Sequence, residues 1–251
     1  MILFSRAPLA PPGFEALPGR CAAALRRASN GLARLRPLSP RAIAAAPPAR
    51  FAALSHALSA DFERLNAAPA GATRSGLECE ALRLAAAAPE GIDLSTPAAF
   101  RASLERINAL ATDGAGRWRT DWAGLMPDLE GHRINFPPAS AILGQLEAVR
   151  TMMRDREAPA LFNAVAVLCL FVNGHPFTDG NGRCARILFN ALLRARGMAD
   201  DVYFPFYELA ARSRGGYVIA LRCAELRGDW RPIMNWAVEA IRCHRTLGGG
   251  G

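Results

Sequence analysis

"FVNGHPFTDGNGRCARILFN", residues 171–190, places His175, Asp179, Gly180, Gly182, Arg183 and Arg186 between an apolar run and an amphipathic one. Upstream, Phe162, Val165, Cys169 and Val172 recur at steps of three and four, which predicts a helix over 160–172; a second helical pattern runs from Cys184 to Arg196. The loop between them admits three readings. Gly180-x-Gly182-x-x-Ala185 satisfies the G-x-G-x-x-G/A pattern of a dinucleotide-binding turn. That pattern should follow a strand directly, yet residues 175–179 intervene with a proline, and no alternating strands elsewhere supply a parallel sheet. A plain linker is the second reading: Asp179 or Asn181 caps the next helix, His175 fills a corner and the arginines face water. It explains each residue singly but not the set.

The third reading is a phosphate site. Glycines on both sides of Asn181 leave backbone N–H groups free to converge on an anion at a helix N-terminus, where the helix dipole also favours negative charge. Arg183 and Arg186, three positions apart, add forked donors suited to phosphate oxygens. Asp179 stands at the edge of this nest, placed to hold Mg²⁺ against the same phosphates. His175 is the one side chain of the loop able to exchange a proton near neutral pH.

Composition narrows the chemistry further. The chain has 251 residues, 51% of them apolar, enough for one large domain or a domain with an attachment. All 30 basic residues are arginine, so Schiff-base chemistry and the lysine-containing P-loop are excluded. The net charge of +8 is spread along the chain without a basic block, and no nucleic-acid partner is expected. Six cysteines without a C-x-x-C pair point to a reducing compartment, and the four histidines have no zinc-ligand spacing. The apolar start before Arg6 is too short for a signal peptide, and no run reaches membrane-spanning length, so a cytoplasmic location with no membrane partner is expected.

Prolines at 8–18 and 37–48 break the first fifty residues around a helix expected at 20–35. Further helical patterns run over 48–66, 77–87, 96–110, 139–153, 207–211, 215–225 and 231–244, with Gly197 as a C-cap after Arg196. Thr96 followed by a proline marks a helix start. "EGHRINFPP", with Gly131 and then Ile134 and Phe136 alternating with polar neighbours, carries the one strong β signal and predicts a short hairpin. The fold class expected is mainly α.

His175-Pro-Phe177-Thr-Asp179-Gly180-Asn181-Gly182-Arg183-Cys-Ala-Arg186 fits every fixed position of the signature of Fic-domain proteins, His-x-Phe-x-Asp/Glu-Gly-Asn-Gly-Arg-x-x-Arg. "INFPPASAILGQLEAV" resembles that family's target-binding flap and the helix after it, and "ARSRGGYVIALRCAELRGDWRPIMNWAVEAI" resembles its C-terminal helices. The likeness covers residues 96–245. It implies a Fic-type helical bundle with a β-hairpin flap and a candidate inhibitory helix over 71–95; residues 1–70, which show no such likeness, read as a proline-rich helical extension, and the glycines at the end read as a flexible tail over 246–251.

The resemblance also implies an activity: transfer of AMP from ATP to a Ser, Thr or Tyr hydroxyl of a target protein, the chain itself included, with release of pyrophosphate. His175 is then the general base, Phe177 the anchor of the loop and Asp179 the ligand of Mg²⁺. Gly180, Asn181, Gly182 and Arg183 hold phosphates, Arg186 positions the γ-phosphate, and Tyr217 lines the adenine pocket. Arg133, Ile134, Asn135 and Phe136 form the flap that aligns an extended target by strand addition. Many family members carry an inhibitory Ser/Thr-x-x-x-Glu-Gly/Asn whose glutamate pairs with the second motif arginine. "TRSGLECE" offers Glu78 and the preceding Leu77 for that role, although Arg74 and Cys79 depart from the flanking pattern and Thr73 stands one place early. Phosphoryl transfer, another nucleotide donor, and a non-catalytic nucleotide-binding or target-docking module are the alternatives.

Overall fold

A computed structural model describes residues 3–11, 13–39, 74–87, 91–112, 114, 116–125, 133–213 and 215–248. The helix expected over 48–66, Thr73 and the hairpin turn at Gly131 lie outside the described residues. The chain is mainly helical. In order come β1 (Leu3–Ser5), α1 (Gly19–Asn30), α2 (Arg74–Ala87), α3 (Pro97–Thr112), β2 (Arg133–Asn135), α4 (Ile142–Arg154), α5 (Ala160–Gly174), α6 (Asn181–Ala195), α7 (Phe206–Arg212), α8 (Gly216–Arg227) and α9 (Arg231–Gly248).

Helix α5 is the axis of the core. It is apolar on every face, and each residue from Ala160 to Phe171 is buried, as a helix hydrophobic all round must be. Helices α4 and α6 pack along it, with α1 and α9 completing the ring. Helix α2 lies across α3, α6 and α7, which carries it to the N-terminal end of α6 where the motif sits.

Local chemistry sets the helix ends. The Ala99 N–H donates to Thr96 Oγ1 at 3.0 Å, capping α3, and Pro97 follows with its φ already helical. Gly197, at φ 108°, closes α6 by donating to the Arg194 carbonyl at 3.1 Å, the left-handed closure expected of that position.

The β structure is larger than one hairpin. Gly124 faces Asn135 in an antiparallel bridge, with the Leu125 N–H donating to Ile134 O at 2.8 Å and the Phe136 N–H to Ala123 O at 2.9 Å. The hairpin arms are therefore 123–125 and 134–136. On the other edge of β2, β1 adds in parallel, pairing Leu3 with Arg133, Phe4 with Ile134 and Ser5 with Asn135. A three-residue strand before a proline-rich stretch has no periodicity to detect, since the backbone ladder forms it.

Candidate active site

The loop from His175 to Gly180 joins the C-terminus of α5 to the N-terminus of α6. His175 caps α5 in the left-handed region, φ 47° and ψ 58°, with its N–H on the Phe171 carbonyl at 3.0 Å. A non-glycine residue there is strained by about 1–2 kcal/mol, so the surroundings must hold it. Arg119 does so: its Nε donates to His175 O at 2.9 Å, and its terminal nitrogens to Gly174 O at 3.1 Å, Pro137 O at 2.8 Å and Asp121 O at 2.9 Å. One buried guanidinium thereby ties the base of the flap to the histidine loop. Nothing in "GRWRTDW" distinguishes this arginine from its many neighbours, and the sequence gives no signal for it.

Phe177 turns inward from the loop. It is 1% exposed, stacked on Trp118 at 4.4 Å between centroids and tilted against Phe171 at 6.3 Å. Burying such a ring contributes about 1.5–3 kcal/mol. Asn181 Oδ1 accepts the Phe177 N–H at 2.8 Å, and its Nδ2 donates to Phe177 O at 2.7 Å. The carboxamide is thus committed at both ends to shaping the loop, and what Asn181 offers a ligand is its backbone N–H in the first turn of α6.

Gly180 precedes α6 at φ 81°. A Cβ there would lie 2.4 Å from Thr112 Cγ2 and 2.6 Å from Asn108 Nδ2. Asn108, buried on α3, donates to Asp179 O at 2.9 Å and holds the turn from behind. Gly180→Ala therefore combines a left-handed strain with a clash against two buried side chains, and we expect a thermal midpoint lowered by several degrees, measured by scanning calorimetry.

The loop lines a cavity of about 260 Å³ together with Tyr207; its walls are His175, Thr178 to Arg183, and Arg186. Five charged or proton-exchanging expectations meet here: His175, Asp179, Arg183, Arg186 and, through Arg186, Glu78. Asp179 accepts from Arg183 at 2.7 Å and from the Gly180 N–H at 2.6 Å. Arg183 also donates to Ala111 O at 2.8 Å. Tyr217 packs among Phe206 and Trp236, at 5.1 and 5.3 Å between centroids, whereas Tyr207 lines the cavity and carries Arg186 over its ring at 5.1 Å.

Glu78 reaches the same place from α2. Its carboxylate takes a fork from Arg186, Nε to Oε1 at 3.0 Å and to Oε2 at 3.1 Å and Nη2 to Oε1 at 2.5 Å, and a further bond from the Tyr203 hydroxyl at 3.1 Å. Burial, with the charge of Glu78, holds Tyr203 well above the ordinary tyrosine range, so it remains a donor. Glu78 is 2% exposed, and a carboxylate so buried is tolerable only because it is paired and hydrogen-bonded. The departures at Arg74 and Cys79 have not kept the glutamate from its arginine.

Burial pushes the His175 imidazole down to about 4; the Val172 carbonyl pulls upward against it, the positive charges of Arg119 and Arg6 add to the fall, and Asp179 gives a smaller upward pull. The ring is therefore neutral at physiological pH and able to accept a proton. Its Nδ1 faces the Val172 carbonyl without a well-aligned hydrogen bond.

One expectation is corrected. Residues 133–136 were expected to offer their backbone to an extended target. Both edges of β2 are already paired, by β1 and by 123–125, and Asn135 and Phe136 are buried. Because Gly124 and Asn135 form the non-hydrogen-bonded kind of antiparallel pair, the N–H and C=O of Gly124 point away from β2. Among the described residues, that outer edge of the hairpin is the one left open.

The model of the Fic/DOC family matches residues 100–193. A protein adenylyltransferase fic-1 of Caenorhabditis briggsae is 40% identical over 65 residues, 26% of this chain and 11% of that protein. A probable protein adenylyltransferase of Aquifex aeolicus is 31% identical over 96 residues, 38% of this chain and 28% of that protein. The chain thus matches well under two thirds of the length of either relative. A crystal structure of a Fic family protein from Desulfovibrio desulfuricans superposes with a TM-score of 0.56 at 20% identity, covering 92% of this chain and 66% of that one. The motif and the helical fold agree with the matched segment, and residues 100–193 match the Fic/DOC family.

Proposed function

We propose that the protein is an adenylyltransferase that moves AMP from ATP to a Ser, Thr or Tyr hydroxyl of a target protein and that Glu78 restrains it. The observation that carries this reading is His175 on the wall of a cavity lined also by Asp179, Tyr207, a helix N-terminus and two arginines. In the transfer, the target hydroxyl gives its proton to His175 Nε2, while Nδ1 keeps its own proton toward Val172. The hydroxyl oxygen bonds to the α-phosphorus, the bond from that phosphorus to the bridging oxygen breaks, and pyrophosphate leaves. Placement and charge neutralisation suffice for such a step, without a covalent intermediate.

Asp179 suits Mg²⁺. No group of three His, Cys, Asp or Glu side chains gathers among the described residues, and Mg²⁺ characteristically takes one or two carboxylates with phosphate oxygens completing its shell. Bound there, the ion would neutralise phosphate charge. The backbone of Gly180 to Arg183 receives the remaining phosphate oxygens. An extended target segment adds along Ala123 to Leu125, where the outward N–H and C=O of Gly124 give two backbone bonds.

The cavity, about 260 Å³, lies below the ~300–1,000 Å³ of most small-molecule sites, and Arg186 is turned to Glu78. This is a resting state. Tyr203→Phe removes the one bond on the carboxylate that does not come from Arg186 and leaves the packing intact; a hydrogen bond to a charged group is worth about 1.5–3 kcal/mol, so we expect roughly tenfold faster labelling. The reading itself is tested with Mg²⁺ and ATP labelled at the α-phosphate. Label on protein that depends on His175 supports it, and label absent from both the native and the Glu78→Gly proteins would overturn it.

A further inference from the structure

Residues 3–9 run directly beside the catalytic loop. The Arg6 N–H donates to Asn135 O at 3.0 Å, extending the β1–β2 ladder by one residue. Its side chain enters the protein and meets Glu225 of α8, Nη1 to Oε1 at 2.9 Å, with both side chains fully buried. Glu225 also pairs with Arg222, and it accepts from Asn173, two residues before the histidine, at 3.4 Å. Asn173 in turn accepts the Leu9 N–H at 3.1 Å, and Gln145 donates to Leu9 O at 3.1 Å.

Two ring contacts join this lock to the histidine. The Arg6 guanidinium carbon lies 4.6 Å from the centroid of Phe136. The Phe136 ring stacks on the His175 imidazole, 3.7 Å between centroids and 13° from parallel. Phe136 is therefore held between Arg6 and His175. The stack acts beside the Val172 carbonyl in setting the plane of the imidazole.

We propose that Arg6 is a positioning residue for the transfer: locked to Glu225, it holds Phe136 against His175 and keeps the imidazole in the plane from which it takes the hydroxyl proton. The proposal rests on the adenylyltransferase reading for its catalytic consequence. The charges facing the imidazole are Arg6 from the N-terminal segment, Arg119 from beneath the flap and Asp179 from its own loop.

The test uses Arg6→Met in the full-length Glu78→Gly protein, since methionine keeps an apolar stem on Phe136 and Arg222 remains to pair Glu225. We expect kcat to fall about tenfold or more, with KM for ATP and nucleotide affinity unchanged. The His175 titration, followed by NMR on the isotope-labelled protein, should move up from about 4 by part of the way only, since burial, the largest cause of its low value, remains. Arg6→Lys, which keeps the charge, should recover part of both. An unchanged kcat together with an unchanged titration overturns the proposal. Should Arg6→Met fail to fold, Phe136→Leu removes the stacked ring while leaving the Arg6–Glu225 pair; the same loss of kcat supports the proposal and its absence overturns it. If the Glu78→Gly parent labels no protein at all, the adenylyltransferase reading fails, while the NMR titration still decides whether Arg6 governs the imidazole.

Discussion

Glu78→Gly is expected to label protein about 100-fold faster than the native chain under Mg²⁺ and α-labelled ATP. The expectation follows from competition for one guanidinium. Arg186 is forked onto Glu78, so a nucleotide that uses Arg186 for its terminal phosphate must first displace that carboxylate. Breaking a buried ion pair costs about 3–5 kcal/mol, and each 1.4 kcal/mol is a factor of ten. The Arg186 side chain keeps 14% of its exposure, and the screening this allows brings the expected gain to the lower end. The gain should appear in nucleotide affinity as well as in rate. Equal affinity and equal labelling in the two proteins would show that the pair restrains nothing.

His175→Ala, introduced into the released Glu78→Gly protein, is expected to cut labelling by about 10²–10⁴-fold, the usual worth of a positioned general base. Nucleotide affinity should change little, since the phosphate contacts come from α6 and its arginines. A fall in affinity that matched the fall in rate would assign His175 to binding. The parent protein's pH profile carries a second check. The imidazole sits near 4 instead of its ordinary 6.5, so the acidic limb of kcat/KM should fall well below pH 6.5. For stability the sign is the same: the fold disfavours the charged ring, so a contribution fully present above about 6.5 is lost as pH drops from there toward 4.

The helical frame was readable because its signals are periodic and redundant. Phe162, Val165 and Cys169 announce α5 by spacing, and Thr96 with Pro97 announces the start of α3. The loop from His175 to Gly180 was readable because its residues are contiguous. Partners that meet through space were harder to see: Tyr203 and Glu78 are 125 positions apart, and Arg6 and Glu225 are 219 apart. Neither pair leaves a pattern in the chain. Glu78 was reached from the resemblance despite altered flanks, since the structural demand falls on the carboxylate and its helix. Asn181 illustrates the opposite case: an amide expected to meet phosphate is spent on the backbone of Phe177, because the loop must hold its own shape before it can hold a ligand.

The N-terminal strand has a practical consequence for dissection. Trimming the protein to residues 96–245 would discard α1, α2 and β1 in one cut, and α1 carries the buried Leu25 of the core. On the proposed reading, loss of α2 is expected to free Arg186 and raise turnover, whereas loss of β1 is expected to unseat Phe136 and lower it. The activity of a shortened protein would then report the sum of opposed changes. Internal deletion of 74–87 and point substitution at Arg6 separate them, and an affinity tag belongs at the C-terminal end, away from the strand that begins at Leu3.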